Sequence, residues 1–378
     1  MALVGLVAGE TSGDLLGSHL ITALKSRQPQ FQFEGIAGPR MISAGCRALY
    51  SSDRLAVNGY VEVLRHLPGL LALRRNVARH FLENRPDVFV GIDAPDFNFV
   101  LEERLKQSGV STVHFVSPSL WAWRGERIHK IKNAVSRMLV VFPFETEIYE
   151  RAGIPVTYVG HPLADALPLE PDQVAARRDL GLPETGEVIA LLPGSRLGEV
   201  KQLLPIMLEA ARLLVRRRPG VRFVLPVAGE AVSGLIHSHV GSSGLPIKLT
   251  QGHSTQAMTA ADVVILASGT ATLEAALLKK PMLITYKLPA LTYAIMKRKA
   301  YLPWVGLPNI LLRRFAVPEL IQHEATPEAL ARATETWLES PKEVALLKQE
   351  FLTLHQALRC NAMERIADAL MPYLQVRA

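Results

Sequence analysis

The feature that most constrains the fold is a repeated alternation of short apolar runs with segments of helical periodicity. The apolar runs end in Gly, Ser, Asp or Pro. Strands that are apolar on both faces are typical of parallel sheets, because helices cover both sides of such a sheet. The alternation therefore predicts an α/β protein built on doubly wound parallel sheets.

The apolar runs fall into two series, which predicts two domains. At 378 residues the chain also exceeds the size at which a single core stops growing. The first series is Leu3–Ala8, Phe33–Ala37, Val88–Ile92, Thr112–Val116 and Met138–Phe142, and the second is Val188–Leu192, Arg222–Val227, Ile247–Leu249, Val263–Leu266 and Met282–Tyr286. We expect two Rossmann-like domains facing each other across a cleft, at 1–165 and 166–344, with C-terminal helices from about 345 to 378 crossing back to the first.

Composition and charge narrow the class of protein. The fractions of 49% hydrophobic and 20% charged residues are typical of a globular protein with two sizeable cores. Cys46 and Cys360 offer neither a disulfide framework nor metal-ligand spacing, so we expect a reducing cytoplasm. No signal peptide and no membrane-spanning run is predicted. The net charge of +7 favours an anionic partner, but nucleic acid is disfavoured because no nucleic-acid-binding motif accompanies it.

Ligands of open parallel sheets bind beyond the carboxyl ends of the strands, so the loops after the apolar runs are the candidate sites. The first loop has carboxylates where a dinucleotide-binding turn would hold a phosphate, which suits a neutral ligand rich in hydroxyl groups. Its candidate residues are Glu10, Ser12, Gly13 and Asp14. The same loop could instead cap a helix, with Ser12 or Thr11 as N-cap and Asp14 in the first turn. The sequence leaves both readings open.

The second loop contains two aspartates after a buried strand. Asp93 follows the strand end directly and is the candidate general base, whereas Asp96 falls in the first turn of a helix that starts with proline. A role as N-cap is the alternative for Asp93. The Asp-x-x-Asp spacing differs from the Asp-x-Asp pattern associated with metal-bound sugar nucleotides. We therefore predict no divalent ion, and we expect no other cofactor.

Two further loops, both in the second series, favour a nucleotide. Each follows a strand and opens a helix, so that backbone N–H groups point at an anion, and an arginine can bind phosphate oxygens at two points. A glutamate one turn into the later helix could accept both hydroxyls of a ribose, although it could also be an ordinary first-turn acid. The candidate nucleotide-binding residues are Gly194, Ser195, Arg196, Ser268, Gly269, Thr270 and Glu274.

A basic, leucine-rich segment from Leu64 to Glu83 has the pattern of a helix with an apolar side and a cationic side. Such a helix suits the surface of a membrane that carries anionic lipid. The candidate membrane or acyl-chain contacts are Leu67, Leu70, Leu71, Leu73, Arg74 and Arg75. An ordinary amphipathic helix that covers a sheet would have the same pattern, and this alternative stays open.

Seven motifs resemble, in order and over nearly the whole chain, the lipid-A-disaccharide synthase family. They are VAGETSGDLLGSHLI, AGPRM, GIDAPDFN, HFVSPSLWAWR, LLPGSRLGEV, ASGTATLEAAL and LPNIL. The resemblance implies a GT-B glycosyltransferase that inverts the anomeric carbon, needs no metal, and joins UDP-2,3-diacylglucosamine to lipid X with release of UDP. It implies that Asp93 is the base, that Arg196 and Glu274 contact the nucleotide, and that Glu10, Ser12 and Asn309 lie in the cleft.

The resemblance also implies a homodimer formed partly by exchange of C-terminal segments, and we expect peripheral association with the cytoplasmic side of the inner membrane. Other functions share some of these features. A UDP-N-acetylglucosamine 2-epimerase or a peptidoglycan-type N-acetylglucosaminyltransferase would share the two domains and the nucleotide loops. A protein that binds a nucleotide sugar or lipid without catalysis would bind these ligands and form no product.

Overall fold

The computed structural model describes residues 2–9, 11–55, 60–122, 125–299 and 301–374, without the side chains at 11, 60–66, 290, 291, 295, 297 and 299. The strands are β1 (Leu3–Ala8), β2 (Gln32–Ala37), β3 (Arg47–Ser51), β4 (Val88–Ile92), β5 (Ser111–Phe115), β6 (Arg137–Val140), β7 (Val156–Tyr158), β8 (Val188–Leu192), β9 (Arg222–Val227), β10 (Ile247–Gln251), β11 (Val263–Ala267), β12 (Met282–Tyr286) and β13 (Glu319–Ile321).

The helices alternate with these strands and continue to the C-terminal end of the described chain. They are α1 (Thr11–Arg27), α2 (Pro39–Ser43), α3 (Tyr60–Glu83), α4 (Pro95–Gln107), α5 (Ile128–Ala134), α6 (Glu145–Arg151), α7 (Pro162–Ala166), α8 (Gln173–Asp179), α9 (Leu197–Arg217), α10 (Glu230–Gly241), α11 (Ser254–Ala260), α12 (Thr270–Leu277), α13 (Ala290–Lys299), α14 (Leu307–Leu312), α15 (Pro327–Glu339), α16 (Pro341–Leu358) and α17 (Ala362–Leu374).

The strands form two parallel sheets, which confirms the predicted α/β class. Their orders are β3-β2-β1-β4-β5-β6-β7 and β10-β9-β8-β11-β12-β13. The central strands β4, β8 and β11 are buried along their whole length, as the continuous apolar runs predict. The strands β3, β7 and β13 were not predicted. They lie at sheet edges and are partly exposed, so they lack a continuous apolar run.

The chain divides into two compact units. One extends to Asp165 and resumes at Leu358, and the other runs from Ala166 to Ala357. The structure thus places the return to the first unit at 358, later than the expected position near 345. The reason is that α16 packs within the second unit, where Phe351 is fully buried and Lys279 Nζ lies 2.7 Å from His355 Nδ1.

Charged contacts hold α17 to the first unit. Arg27 on α1 forms ion pairs with Glu364 at 2.8 Å and with Asp368 at 2.7 Å. The Asp165 carboxylate accepts hydrogen bonds from the backbone N–H groups of Asn361 and Ala362, at 2.9 and 2.6 Å. The Asp165 carboxylate thus satisfies two backbone N–H groups at the start of α17, which have no acceptor within the helix.

Each sheet has one position where its strand order reverses. In the first sheet β2 lies on one side of β1 and β4 lies on the other side. In the second sheet β9 lies on one side of β8 and β11 lies on the other. The loops after β1 and β4 are therefore neighbours, as are the loops after β8 and β11. Such switch points are where open α/β sheets bind ligands, and the four predicted loops occupy them.

Candidate functional site

Asp93 follows β4 directly and carries the carboxylate predicted to act as a base. Its side chain is half-buried, and no described residue forms a hydrogen bond or ion pair with its carboxylate. The structure rejects the capping alternative, because the N-cap of α4 is Ala94 and no side chain caps that helix. The carboxylate is thus available to a ligand at the β1/β4 switch point.

The backbone around Asp93 is strained. Asp93 and Ala94 have φ angles of 52° and 46°, which lie in the left-handed region that residues with a side chain seldom adopt. Each such residue typically costs about 1–3 kcal/mol, and surrounding contacts must hold it there. The Asp93 N–H donates to Phe115 O at 2.9 Å, and its carbonyl accepts from Asn98 Nδ2 at 2.8 Å.

Asp96 is less suited to act as a base. Its carboxylate is exposed, and Arg127 Nη2 lies 2.9 Å from Oδ1. Its backbone carbonyl accepts from Arg74 Nη1 at 3.3 Å. Arg127 therefore occupies one oxygen of this carboxylate, whereas the Asp93 carboxylate has no such partner among the described residues.

In the β1–α1 loop the predicted residues have different roles. Ser12 is exposed at the start of α1. Gly13 is buried, and a Cβ there would lie 3.3 Å from the Ala8 Cβ, so the glycine lets the helix approach β1. Glu10, the other predicted carboxylate, lies outside the described residues.

Asp14, which the sequence predicts for the substrate site, has a structural role in the fold. Its side chain is 3% exposed, and its carboxylate accepts hydrogen bonds from the N–H groups of Gly38, Arg40 and Met41 at 2.9–3.0 Å. These donors lie at the start of α2, so Asp14 caps that helix from a distance in sequence. Local sequence could suggest a cap of α1, but not which other helix the carboxylate would meet.

The β8–α9 loop presents polar groups at the start of a long helix. Ser195 is exposed and the Arg196 side chain is 74% exposed, with Arg196 Nη1 3.5 Å from Glu199 Oε1. Tyr286 donates a hydrogen bond to the same Glu199 oxygen at 3.2 Å. The Arg196 guanidinium is therefore close to one carboxylate yet open to a ligand.

The β11–α12 loop lies beside it in the sheet order. Gly269 and Thr270 are exposed at the start of α12, and Ser268 Oγ donates to Val305 O at 3.2 Å. Thr272 donates to Gly269 O at 2.8 Å and so holds the turn. The N-termini of α9 and α12 thus lie at one switch point, and the exposed guanidinium of Arg196 precedes α9. This arrangement suits the binding of a diphosphate.

Glu274 sits one turn into α12 and is half-buried. Thr255 donates a hydrogen bond to its carboxylate. Burial raises the pKa of Glu274, and the hydrogen bond from Thr255 partly offsets that increase. A carboxylate with one oxygen held in this way remains able to accept hydrogen bonds from sugar hydroxyls.

Three residues of this region were missed from sequence: Glu199, Thr255 and Tyr286. Glu199 had a signal, because an acid three residues after Arg196 lies in the first turn of the same helix. Thr255 and Tyr286 had none, since they lie 19 and 87 residues from the groups they contact. Only the folding of the second unit brings them to the loops.

Asn309, which the family resemblance places in the substrate cleft, has a structural role in the second unit. Asn309 is fully buried in the second unit. Its Oδ1 accepts from the N–H groups of Ala316 and Val317 at 2.8 and 2.9 Å, and its Nδ2 donates to Val317 O and Glu319 Oε1 at 2.9 and 2.8 Å. An asparagine side chain has four hydrogen-bonding positions, and all four are used. Asn309 therefore shapes the α14–β13 connection.

The leucine-rich segment forms α3, and one of its predicted membrane contacts, Leu73, lies in the core. Leu73 is 5% exposed and packs in the core with Val77 and Phe81, because these positions recur every four residues on the sheet-facing side. Leu67 and Leu71 lie on another side and are 41% and 40% exposed. The helix therefore has both a core face and a free apolar face.

A groove of about 390 Å³ runs between α3 and α4. Its lining combines apolar and cationic side chains: Leu71, Arg74, Arg75, Ala78, Val100, Leu101 and Arg104. Burial lowers the pKa of Arg74. Among the helices that the structure describes, none has the length and apolar character needed to cross a bilayer.

Comparison with known proteins assigns the chain to a family. A sequence model of the lipid-A-disaccharide synthetase family matches residues 4–370. A lipid-A-disaccharide synthase from Thiobacillus denitrificans is 58% identical over 370 residues, covering 98% of this chain and 99% of the relative. One from Methylobacillus flagellatus is 53% identical over 378 residues, covering 99% and 100%.

Solved structures agree on the fold. A UDP-GlcNAc 2-epimerase from Neisseria meningitidis bound to UDP-GlcNAc superposes with a TM-score of 0.66 at 13% identity, over 98% of this chain and all of that one. The glycotransferase of kitacinnamycin gives a TM-score of 0.62 at 14% identity, over 99% of both chains. These likenesses confirm the GT-B class of α/β fold, and the sequence relatives decide among its functions. The chain belongs to the lipid-A-disaccharide synthase family and is a glycosyltransferase.

Proposed function

We propose that this enzyme transfers 2,3-diacylglucosamine from UDP-2,3-diacylglucosamine to lipid X, which is 2,3-diacylglucosamine 1-phosphate. The products are the β-1,6-linked disaccharide 1-phosphate and UDP. The observation that carries the proposal is the half-buried Asp93 carboxylate, which has no partner among the described residues and lies at a switch point of the first sheet. An acceptor hydroxyl needs a base of this kind.

Asp93 removes the proton from the acceptor 6-hydroxyl as its oxygen attacks the anomeric carbon of the donor. The new bond forms on the face opposite the departing phosphate, so the configuration inverts. The bond from the anomeric carbon to the phosphate oxygen breaks, and UDP leaves with the electron pair. The proton remains on Asp93 until solvent removes it.

The second unit binds the nucleotide in this proposal. Arg196 and the N-termini of α9 and α12 stabilise the negative charge that grows on the leaving diphosphate. Gly194, Ser195, Ser268, Gly269 and Thr270 contribute backbone or hydroxyl donors, and Glu274 accepts from the ribose. Ser12 contacts the acceptor sugar, and the family resemblance implies the same role for Glu10, which lies two residues earlier in the sequence.

Incubation of the purified chain with UDP-2,3-diacylglucosamine and lipid X, followed by mass spectrometry, tests the reaction. Asp93→Asn should retain UDP binding and lose turnover by a factor of about 10² or more. Asp96→Asn is the matched control, because Asp96 is paired with Arg127, and it should keep most of the turnover. Near-normal turnover in Asp93→Asn would move the role of base to another group.

Parallel incubations with UDP-N-acetylglucosamine, alone or with a peptidoglycan precursor, separate the rival functions. Epimerised UDP-N-acetylglucosamine, or transfer of N-acetylglucosamine to a peptidoglycan precursor, would identify one of the related GT-B activities. Binding of UDP-2,3-diacylglucosamine without any product would identify a non-catalytic protein. Either result would overturn the proposed reaction.

We place the enzyme peripherally on the cytoplasmic side of the inner membrane. Both substrates carry acyl chains, and α3 exposes Leu67 and Leu71 with Leu70 half-buried beside them. Arg74 and Arg75 follow Leu70 and Leu71 by one turn of α3, so their guanidinium groups could bind lipid phosphates while the leucines contact acyl chains. A surface of this composition suits an interface helix rather than a spanning one.

Flotation with vesicles that contain anionic phospholipid tests this surface. Leu67→Ser combined with Leu71→Ser should reduce vesicle binding at least fivefold. Leu346→Ser is the matched control, because Leu346 is 67% exposed on the second unit, and its binding should be unchanged. Equal binding of all three proteins would reject the role of α3.

The homodimer implied by the family resemblance remains a proposal. Within the single chain α17 already packs on α1 through the ion pairs of Arg27. An exchanged dimer would form the same contacts between two chains. Light scattering after size-exclusion chromatography would give the mass in solution, and a monomer at micromolar concentration would exclude a stable exchanged dimer.

A further inference from the structure

Three polar side chains lie fully buried beneath the Asp93 turn: Asn98, Glu102 and His114. Asn98 and Glu102 are one helical turn apart on α4. His114 lies on β5, where it pairs in register with Gly91 of β4. A Cβ at Gly91 would overlap Glu102 Oε1 and lie 3.0 Å from the Asn98 Cβ. The side chains of Asn98 and Glu102 therefore converge on the backbone just before Asp93.

Stability does not account for this polar cluster. Glu102 Oε1 and His114 Nδ1 are 2.8 Å apart, but Asn98 Oδ1, Glu102 Oε2 and His114 Nε2 have no hydrogen-bond partner in the described structure. Buried polar atoms without partners are destabilising, and apolar replacement of a buried pair is often neutral or stabilising. Burial raises the pKa of Glu102, while His114 opposes that shift.

The contacts form a closed ring around Asp93. The Asp93 N–H donates to Phe115 O on β5 at 2.9 Å, and the Asp93 carbonyl accepts from Asn98 Nδ2 on α4 at 2.8 Å. His114 precedes Phe115 in β5, and its Nδ1 lies 2.8 Å from Glu102 Oε1. Glu102 follows Asn98 by one turn of α4. The bond between Glu102 and His114 thus ties together the two elements that hold the Asp93 backbone.

We propose that Asn98, Glu102 and His114 are positioning residues that keep Asp93 in its left-handed conformation and so aim its carboxylate. The inference rests on the proposed role of Asp93 as the base. Asn98 acts directly on the Asp93 carbonyl. Glu102 and His114 act through Asn98 by fixing α4 against β5. None of the three touches the substrate.

Steady-state kinetics give the first test. Asn98→Leu removes the donor at similar volume and should lower kcat at least tenfold, with KM for the UDP-sugar within twofold. Thr112→Val is the matched control, because Thr112 is also fully buried on β5 and donates to Ala134 O at 2.7 Å. It should lower stability and leave kcat unchanged. Unchanged kcat in Asn98→Leu would overturn the proposal.

A second pair of variants covers the case in which Asn98→Leu does not fold. Glu102→Leu breaks the link to His114 and should lower kcat at least fivefold. Glu102→Gln retains an acceptor for His114 and should restore most of that loss. Equal kcat values for these two variants would mean that the link has no positioning role.

Hydrogen exchange at the Asp93 amide gives a readout that does not need turnover. The exchange rate should rise at least tenfold in Asn98→Leu and Glu102→Leu and stay unchanged in Thr112→Val. If wild-type enzyme forms no product, the proposed function fails, while amide exchange still decides the positioning role. If wild-type is active and exchange is the same in every variant, only the positioning role fails.

Discussion

A Cβ atom at Gly194 would lie 2.5 Å from Glu199 Oε2, so the first-turn carboxylate of α9 rests on the backbone of the β8–α9 loop. Gly194 has a φ of 111°, which a residue with a side chain rarely adopts. Tyr286 holds the other oxygen of Glu199 at 3.2 Å. The loop that presents Ser195 and Arg196 is therefore supported by a partly buried contact between Glu199 and Tyr286.

Replacing Gly194 with alanine should disturb this loop. We expect Gly194→Ala to lower the free energy of unfolding by about 1–3 kcal/mol, because the left-handed backbone is strained and Glu199 must move. UDP affinity should fall at least tenfold, since the N–H groups of the loop would no longer point together. Calorimetry with UDP and urea unfolding measure both effects.

Gly198 provides the control for that substitution. It lies in the same helix start, and a Cβ there would meet nothing within 4 Å. Gly198→Ala should leave UDP affinity unchanged and raise stability by up to about 1 kcal/mol. Equal UDP affinities for the two alanine variants would argue against a role of the Gly194 backbone in binding.

The raised pKa of Glu274 predicts a pH dependence of nucleotide binding. Burial makes this carboxyl group take up a proton at a higher pH than an ordinary glutamate. A protonated carboxyl accepts ribose hydrogen bonds less well, so UDP affinity should fall as the pH is lowered through that pKa. Calorimetric titrations with UDP across the acidic range would measure the change.

Two variants assign that dependence to Glu274. Glu274→Gln should weaken UDP binding about tenfold near neutral pH and flatten the acidic limb. Thr255→Val removes the hydrogen bond that lowers the pKa of Glu274, so the loss of affinity should begin at a higher pH. An acidic limb that is identical in Glu274→Gln would show that another group titrates.

Asp14 should contribute to stability rather than to turnover. Asp14→Ala would leave three backbone N–H groups at the start of α2 without acceptors. We expect a loss of about 1–3 kcal/mol in the free energy of unfolding, with kcat retained at temperatures where the variant is folded. Urea unfolding and product formation would be measured together. A large fall in kcat at full folding would return Asp14 to the substrate site.

Lys280 should make the stability of the enzyme depend on pH. Burial, with the nearby charge of Lys348, lowers the pKa of Lys280 from 10.5 to about 7. Between these values the unfolded chain binds a proton that the folded chain does not. This group alone therefore makes stability rise with pH across that window, by at most about 1.4 kcal/mol per unit.

The comparison of wild-type with Lys280→Met isolates this effect. Methionine keeps much of the volume and does not titrate, so the variant should lose that part of the increase between pH 7 and pH 10. Urea unfolding at several pH values would measure the difference between the two proteins. The same pH dependence in both would mean that Lys280 keeps its charge in the fold.

The sequence determined the fold class and the positions of the loops. Continuous apolar runs at β4, β8 and β11 predict central parallel strands, because only strands covered on both faces lack polar positions. The residues after a central strand must then lie at the carboxyl edge of the sheet, as Asp93 does. Both inferences rest on local pattern, which the sequence contains in full.

Partners distant in sequence were decided only by the tertiary structure. Asp14 and Asn309 are polar residues in promising loops, yet their hydrogen bonds go to backbone groups of α2 and of the α14–β13 connection. Leu73 and Leu71 are both leucines of the same amphipathic segment. Leu73 is in the core and Leu71 is exposed, because the two side chains leave the helix α3 in different directions. The edge strand β13 likewise has too few buried positions to show a period.

The buried cluster beside Asp93 shows the same division. The sequence places Asn98 and Glu102 on one face of α4, because they are four residues apart. It does not show that His114 meets Glu102, since that contact depends on the order in which β4 and β5 lie in the sheet. Hydrogen bonds between residues distant in sequence depend on which strands pair. For that reason the packing of the chain, rather than its local pattern, decides which polar groups remain open to a substrate.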